Sequence, residues 1–393
     1  MILVIKMKVG FNMINTASLF AGVGGVCLGF KQSKYGKLRY KLKWANEIDD
    51  FAVETYKYNF KHPILHGDIR KIVNLSLCES QEIEYYSKLQ EEMIKYPIDV
   101  LTGGFPCQAF SVAGERKGFQ DHRGNLFWSI VDTVKLLEKK HKKPGVLFLE
   151  NVKNLAGHDG GRTFSIIKSE LENLGYYVKT AVLNTKEYTE IPQNRERFFI
   201  VCFLDKDQHD RFDFFDRLEQ FKVEIDEETR KNRIEKIIAD WNNNNLLNKY
   251  YYTKQKYPKY FLDEDEYNSQ QESEKKEIRV NMAESVVDKY EFYQIRRGMY
   301  IRKNKNGVCP TLTANMGTGG HNVPVIKVDD GIRKLTPTET FKLQGFPIGD
   351  GYDLPSEIDG KKIGDCHFYK QAGNAVTVDV IKLIATEILK SYK

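Results

Sequence analysis

Short apolar, β-branched runs alternate with stretches of helical spacing from about Phe11 to Phe203. The runs are INTASLF (14–20), YKLKWANE (40–47), PILHGD (63–68), IDVLTGG (98–104), GVLFLEN (145–151), YYVKTAVLN (176–184) and RFFIVCF (197–203). Strands that take turns with helices predict βαβ units and a mostly parallel sheet covered on both faces. Between residues 204 and 290 the texture changes, and WNNNNLLNKYYY and LDEDEYNSQQESEKKE read as polar, low-complexity punctuation. Order returns at about Tyr290. In LTPTETFKLQGFP, Thr336 is placed as an N-cap, Pro337 as the first helical residue and Glu339 as the partner that closes a capping box. The final NAVTVDVIKLIATEILKSYK has apolar residues three and four apart, a helix expected to pack on the main sheet.

Composition adds limits. A chain of 393 residues is long enough for two domains, and 41% hydrophobic with 29% charged residues is the balance of a soluble globular protein. No apolar run approaches membrane-spanning length, and MILVIKMKVG is interrupted by Lys6 and Lys8 with no small-residue cleavage site, so a cytoplasmic protein is expected. The six cysteines (27, 78, 107, 202, 309 and 366) lie far apart with no C-x-x-C and no clustered histidines. That spacing argues against a zinc site and against a disulfide framework. Residues 205–290 hold 16 Lys+Arg against 21 Asp+Glu, a net of −5, so with a total of +6 the rest carries +11. Within that rest, EFYQIRRGMYIRKNKNG (291–307) sets Arg296, Arg297, Arg302, Lys303 and Lys305 against Glu291 alone. Such a local excess suits a polyanion, although a solvated loop has the same composition.

Candidate chemistry gathers at strand ends. SLFAGVGGVCLGF puts Gly22, Gly24, Gly25 and Gly29 between a strand and a helix, where backbone can approach a ligand. Cys27 stands where a dinucleotide fingerprint would have its third glycine, so a plain tight turn competes with this reading. Glu47 ends the second strand, where a carboxylate can accept from ribose hydroxyls, and Asp68 ends the third, where it can accept from an adenine amino group. Together these describe an adenosine-type ligand such as S-adenosylmethionine, with nothing that calls for a pyrophosphate. Cys107 follows the fourth strand, Glu150 the fifth, and Arg195 and Arg197 precede a later one. Unpaired thiols are commonly inert core residues. A thiol, a carboxyl and two guanidiniums on one sheet edge are harder to explain that way.

The ordered set LFAGVGG, NEID, GDI, GGFPCQAFSVAG, RGNLF, LENV, IPQNRERFFIVCF, CPTLTANMGTGGHNVP, RKLTPTETFKLQGFP and KQAGNAV resembles the DNA (cytosine-5)-methyltransferases of bacterial restriction–modification systems. It covers nearly the whole chain except about 71–95 and 204–290. Ser18 stands where many relatives have Asp, and Ile48 where some carry an aromatic residue. The resemblance implies an α/β, doubly wound, mostly parallel sheet of the S-adenosylmethionine-dependent methyltransferase fold with a second, smaller target-recognition domain. The catalytic domain is expected at 11–203 plus 365–393, and the recognition domain with its hinge at 204–364.

Residue by residue, it implies Cys107 as the nucleophile that adds to C6 of cytosine and Glu150 as the group that holds or protonates N3. Arg197 is assigned to O2 of the base and Arg195 to orienting the carboxylate. The cofactor set is Phe20, Ala21, Gly22, Gly24, Gly25, Glu47, Ile48, Asp68, Ile69, Gly104, Pro106, Leu126, Asn374, Ala375 and Val376. Ser111, Arg296, Arg297 and Thr311 are the candidate DNA contacts. No metal is implied. The expected partner is double-stranded DNA, met by a monomer, with the target base flipped out of the helix; a cognate restriction endonuclease would share the site without binding this chain. A cytosine-5 methyltransferase of transfer RNA shares the motifs, but the large variable segment followed by TLTANMGTGGHN favours DNA. A DNA-binding module without catalysis is disfavoured by Cys107 and Glu150.

Overall fold

Eight strands form the main sheet of the computed structural model, which describes residues 11–105, 126–239, 247–269, 281–296, 300–318, 322–358 and 360–392. They are β1 (Asn12–Leu19), β2 (Lys34–Tyr35), β3 (Leu38–Glu47), β4 (Ile64–His66), β5 (Val100–Gly104), β6 (Val146–Val152), β7 (Tyr177–Asn184) and β8 (Glu196–Phe203). Their order is β2-β3-β1-β5-β6-β8-β7, with β4 also pairing β3. The pairs β1/β3, β1/β5, β3/β4 and β5/β6 are parallel, while β8 runs antiparallel to β6 and β2 antiparallel to β3. After β1 the chain moves to one side through β3 and β4, then returns to the other side of β1 with β5. In an open α/β sheet the carboxyl ends at such a reversal form a crevice where ligands bind.

The sheet is buried on both faces, which is why its central strands read as unbroken apolar runs. On one face Leu101, Leu147 and Leu149 join a core with residues of α3 (Ile69–Val73), α4 (Ile83–Met93) and α5 (Leu126–Lys140). On the other, Phe148 meets Phe30 of α1 (Gly25–Gln32) with ring centroids 5.3 Å apart. The C-terminal helix Val378–Ser391 reaches the main sheet at β3, as the sequence leads one to expect, and also lies on α1. A side chain at Gly29 would come within 2.6 Å of Ile381, and the Tyr40 hydroxyl donates to the Ala385 carbonyl at 2.9 Å.

Two compact units emerge. One holds the described residues of 1–183, Arg197–Gln220 and Val378–Lys393; the other holds Asn184–Glu196 and the described residues of 221–377. The boundaries differ from those read from the sequence in three places, one of them the segment Asn184–Glu196, which joins the second unit. Residues up to Gln220 stay with the first unit because Arg211 Nε and Gln208 Nε2 bond the carbonyl and hydroxyl of Ser391 at 2.8 and 3.1 Å. The helix Asp365–Asn374 goes to the second unit because Gly317 and Gly373 let it pack against 313–317 with no space for a side chain.

The second unit carries a four-stranded sheet of β9 (Phe292–Arg296), β10 (Tyr300–Lys303), β11 (Val325–Val328) and β12 (Gly331–Lys334), in the order β10-β9-β11-β12. Tyr293, Ile295, Val325 and Ile332 form its apolar core. The capping box is present. Glu339 N–H donates to Thr336 Oγ1 at 3.2 Å and Thr336 N–H to Glu339 Oε2 at 2.7 Å, and the buried Arg333 guanidinium grips the same carboxylate at 2.8 and 2.6 Å.

Candidate active site

Strand register brings the first group together. In the parallel pair Gly104 lies opposite Glu150, and in the antiparallel pair Val152 lies opposite Arg197 and Glu150 opposite Phe199. Residues two apart share a face, so Glu150 and Arg197 are diagonal neighbours across β6 and β8. Arg197 Nε donates to Glu150 Oε1 at 3.0 Å, with both side chains largely buried. On the opposite flank Glu150 Oε2 lies only 3.2 Å from where a side chain on Gly104 would begin. The carboxylate is therefore held between a guanidinium and a strand with no side chain.

Arg195 takes a different position from the one expected. Its guanidinium is 2% exposed inside the second unit, where Nη1 donates to the Leu312 carbonyl at 2.7 Å and Nη2 to those of Gly373 and Ala375 at 3.2 and 2.5 Å. Those bonds tie together the segments 184–196, 309–313 and 373–375, helped by Gln193 and Gln344. Arg197, not Arg195, makes the contact with the Glu150 carboxylate.

Cys107, Pro106 and Ser111 lie outside the described residues, as does Arg297. The chain is described up to Phe105, and there it is fixed. Asn151, buried beside Glu150, donates from Nδ2 to the Phe105 carbonyl at 2.8 Å, while its Oδ1 accepts from the Val152 N–H at 2.8 Å. Phe105 itself is buried against Phe127. Asn151 is a functional candidate that the sequence reading passed over, although it stands inside the quoted LENV. Burial pushes the Cys27 thiol up to about 11 and raises Cys202 and Cys309 as well, so these three thiols are protonated and inert at neutral pH.

The glycine turn makes a second group. Phe20, Gly22 and Gly24 have φ of 54°, 55° and 87°, and a side chain on Gly24 would come within 2.3 Å of the Phe60 ring. Glu47 braces this turn: Oε2 accepts from the Gly22 N–H at 2.7 Å and Oε1 from the N–H groups of Ile48 and Asp49 at 2.8 and 2.9 Å. A carboxylate offers about four lone-pair directions, so one remains for a donor outside the protein. Ile48 beside it is 61% exposed, an apolar surface open to a ligand ring.

Asp68 follows β4 and caps α3, accepting from the Arg70 N–H at 2.9 Å and from the Arg70 guanidinium at 2.5–3.0 Å. Partial burial pushes its carboxyl up, but the Arg70 bonds outweigh that and hold it below the usual range. Ile69 is buried, so only its backbone faces a ligand, and Leu126 opens α5 half-buried. Asn374, Ala375 and Val376 belong to the second unit; Asn374 is exposed, and the other two are buried.

Of the DNA candidates, Thr311 donates its one hydroxyl proton to the Asn194 carbonyl at 2.6 Å. A phosphate oxygen only accepts, so Thr311 must exchange that bond before it can serve as the sequence suggested. Arg296 bonds the Gln294 side chain on β9. In the antiparallel register it sits opposite Tyr300, and Gln294 sits opposite Arg302, so these four share the outer face of the β9–β10 ribbon. Tyr300 and Arg302 are exposed. Among the described residues no helix is long and apolar enough to cross a membrane.

Comparison with known proteins identifies the family. The profile of the C-5 cytosine-specific DNA methylase family matches residues 14–390. Type II methyltransferase M.Bsp6I of Bacillus sp. (strain RFL6) is 41% identical over 382 residues, 96% of this chain and 99% of that protein. M.HhaI of Haemophilus parahaemolyticus is 29% identical over 98% of this chain and 95% of its own length. Among solved structures, the Entamoeba histolytica methyltransferase EhMeth shares the fold at a TM-score of 0.61 and 18% identity, over 97% of this chain and 99% of that one.

Proposed function

Because the chain belongs to the C-5 cytosine-specific DNA methylase family, we propose that it methylates a flipped-out cytosine in double-stranded DNA through a covalent adduct on Cys107. It is a DNA (cytosine-5)-methyltransferase, and the proposal concerns its site residues and its chemistry. The observation that carries the proposal is the Glu150–Arg197 pair at the carboxyl edge of the sheet, next to the Asn151 bond that fixes the chain two residues before Cys107.

Cytosine C5 is a poor nucleophile until a thiolate adds at C6. In the proposed sequence Cys107 Sγ bonds C6, the C5–C6 π electrons become available at C5, and Glu150 supports the change by holding or supplying a proton at N3. Arg197 keeps Glu150 in place and is assigned to O2, where negative charge grows. After C5 acquires the methyl group, loss of its proton to a base drives out the Cys107 thiolate and restores the aromatic ring. S-adenosylmethionine, when bound, supplies the methyl group as a sulfonium substituent.

The glycine turn, the unused lone pair of Glu47, the exposed Ile48 and the Asp68 carboxylate fit an adenosine group. They are proposed to hold its backbone-facing edge, its ribose, its ring and its amino group, together with Phe20, Ala21, Gly25, Ile69, Gly104, Pro106, Leu126 and Asn374–Val376. Ser111, Arg296, Arg297 and, once it exchanges its bond to the Asn194 carbonyl, Thr311 are proposed DNA contacts, with Gln294, Tyr300 and Arg302 added to the ribbon face. The names of the relatives support a role as the protective methylase of a Type II system, acting as a monomer in the cytoplasm beside an endonuclease that shares its site. The test is expression in a host without cytosine methylation, followed by bisulfite sequencing of its plasmid. One short sequence should be methylated by the wild type and none by Cys107→Ser; methylation by both would overturn the proposal.

A further inference from the structure

None of the motifs quoted for the family falls within residues 71–95, yet the helix within them touches the turn that holds Asp68. Tyr85 and Tyr86 of α4 approach three consecutive backbone positions. The Tyr85 hydroxyl donates to the His66 carbonyl at 2.5 Å. The Tyr86 ring and Leu89 pack where a side chain on Gly67 would have been, at 3.1 and 3.3 Å. The Tyr86 oxygen accepts from the Asp68 N–H at 3.3 Å. The helix is in turn fixed to α3: Lys71 Nζ pairs with Glu82 at 2.6 Å, Gln90 Nε2 donates to the Ile72 carbonyl at 2.7 Å, and Tyr86 and Met93 are buried in the main core.

Core packing does not explain these hydroxyls. The Tyr85 side chain is half in solvent, and phenylalanine at either position would fill the same volume. What the oxygens add is a grip on the carbonyl before Gly67 and the N–H after it. That grip fixes the direction in which the chain leaves β4 and so the place of the Asp68 carboxylate. Arg70 donates to both oxygens of the same carboxylate, so a ligand must displace one of those bonds, and the backbone beneath decides which oxygen it meets.

We propose that Tyr85 and Tyr86 are positioning residues for the purine end of the cofactor site, holding Asp68 where it recognises the exocyclic amino group of adenine. The inference rests on the cofactor reading above. Its test separates the two. Calorimetry would measure S-adenosylhomocysteine and S-inosylhomocysteine, in which a carbonyl oxygen replaces the amino group, on the full-length protein. Wild type should prefer the adenosine compound. In Tyr85→Phe/Tyr86→Phe that preference should shrink by about fivefold to tenfold, the size of one well-placed hydrogen bond, with inosyl affinity within about twofold of wild type. With Asp68→Ala as background, removing the hydroxyls should change the preference no further.

A tyrosine role confined to stability would weaken both ligands alike or neither, and an unchanged preference at unchanged fold would overturn the proposal. Tyr85→Phe alone, at a side chain half in solvent, carries the test if the double variant does not fold. Failure of wild type to bind either compound would overturn the cofactor reading and this inference with it. Binding without preference would overturn the inference and leave the cofactor site standing.

Discussion

Gly104→Ala separates the rate of reaction from the stability of the fold. Gly104 lies in β5 with no left-handed φ, so alanine meets no backbone strain there. Replacing a strand-interior glycine by alanine should favour folding by about 0.5–1 kcal/mol. The new methyl group starts 3.2 Å from Glu150 Oε2, inside the 3.4 Å at which ordinary contact begins, so the carboxylate must yield by a few tenths of an ångström. It cannot yield freely, because Arg197 Nε holds the other oxygen at 3.0 Å. A hydrogen bond to a charged group is worth about 1.5–3 kcal/mol net, and losing roughly half of it in the transition state slows the reaction about tenfold. Single-turnover transfer of a labelled methyl group to the mapped site, measured beside thermal unfolding, is the assay. The reasoning predicts a slower rate in a protein at least as stable as wild type. A wild-type rate at unchanged stability would refute it, and so would a rate loss matched by loss of fold.

Three more perturbations follow from the same geometry. Asn151→Ala leaves the buried Phe105 carbonyl without its donor, at a cost of about 1–3 kcal/mol; alkylation of Cys107 and single-turnover rate should both fall, whereas an unchanged rate would mean the bond does not position the thiol. Arg195→Met strips donors from three buried carbonyls and should destabilise the second unit by at least about 3 kcal/mol; Arg197→Ala should lose more activity and less stability, and the reverse ranking in denaturant melts and kinetics would return Arg195 to the active site. Burial and the nearby Lys31 push His62 down from 6.5 to about 4, so it is neutral in the fold and takes up a proton more readily when unfolded. Its contribution is complete above pH 6.5 and is lost as pH falls towards 4, by no more than about 3 kcal/mol, so a His62→Gln variant should show a flatter loss of stability across that window.

Much of the catalytic half was legible because its strands are buried on both faces and end in glycine, proline or a carboxylate. Glu47, Asp68 and Glu150 all fall on the carboxyl edge that strand alternation predicts. Arg195 and Arg197 were harder, since both lie on one side of an alternating pattern. The strand begins only at Glu196, so alternation governs Arg197 and says nothing of Arg195. Helix 365–374 has the spacing of a helix for either unit; only the close approaches at Gly317 and Gly373 decide which one it joins. Side chains that grip backbone, such as Asn151 on Phe105 and Tyr85 on His66, leave no periodic trace. Fine specificity is hidden for a related reason, because residues that read bases are chosen by the groove they meet and not by the fold that carries them.

The central claim is that Cys107 forms a bond to cytosine C6 during turnover. The direct measurement uses a duplex with 5-fluorodeoxycytidine at the mapped target position, together with S-adenosylmethionine. Fluorine cannot leave as the C5 proton does, so the adduct should persist as a complex stable to denaturant, and peptide mass spectrometry should place the DNA on Cys107. A trapped complex on any other residue, or full methylation of ordinary DNA by Cys107→Ser, would contradict the account.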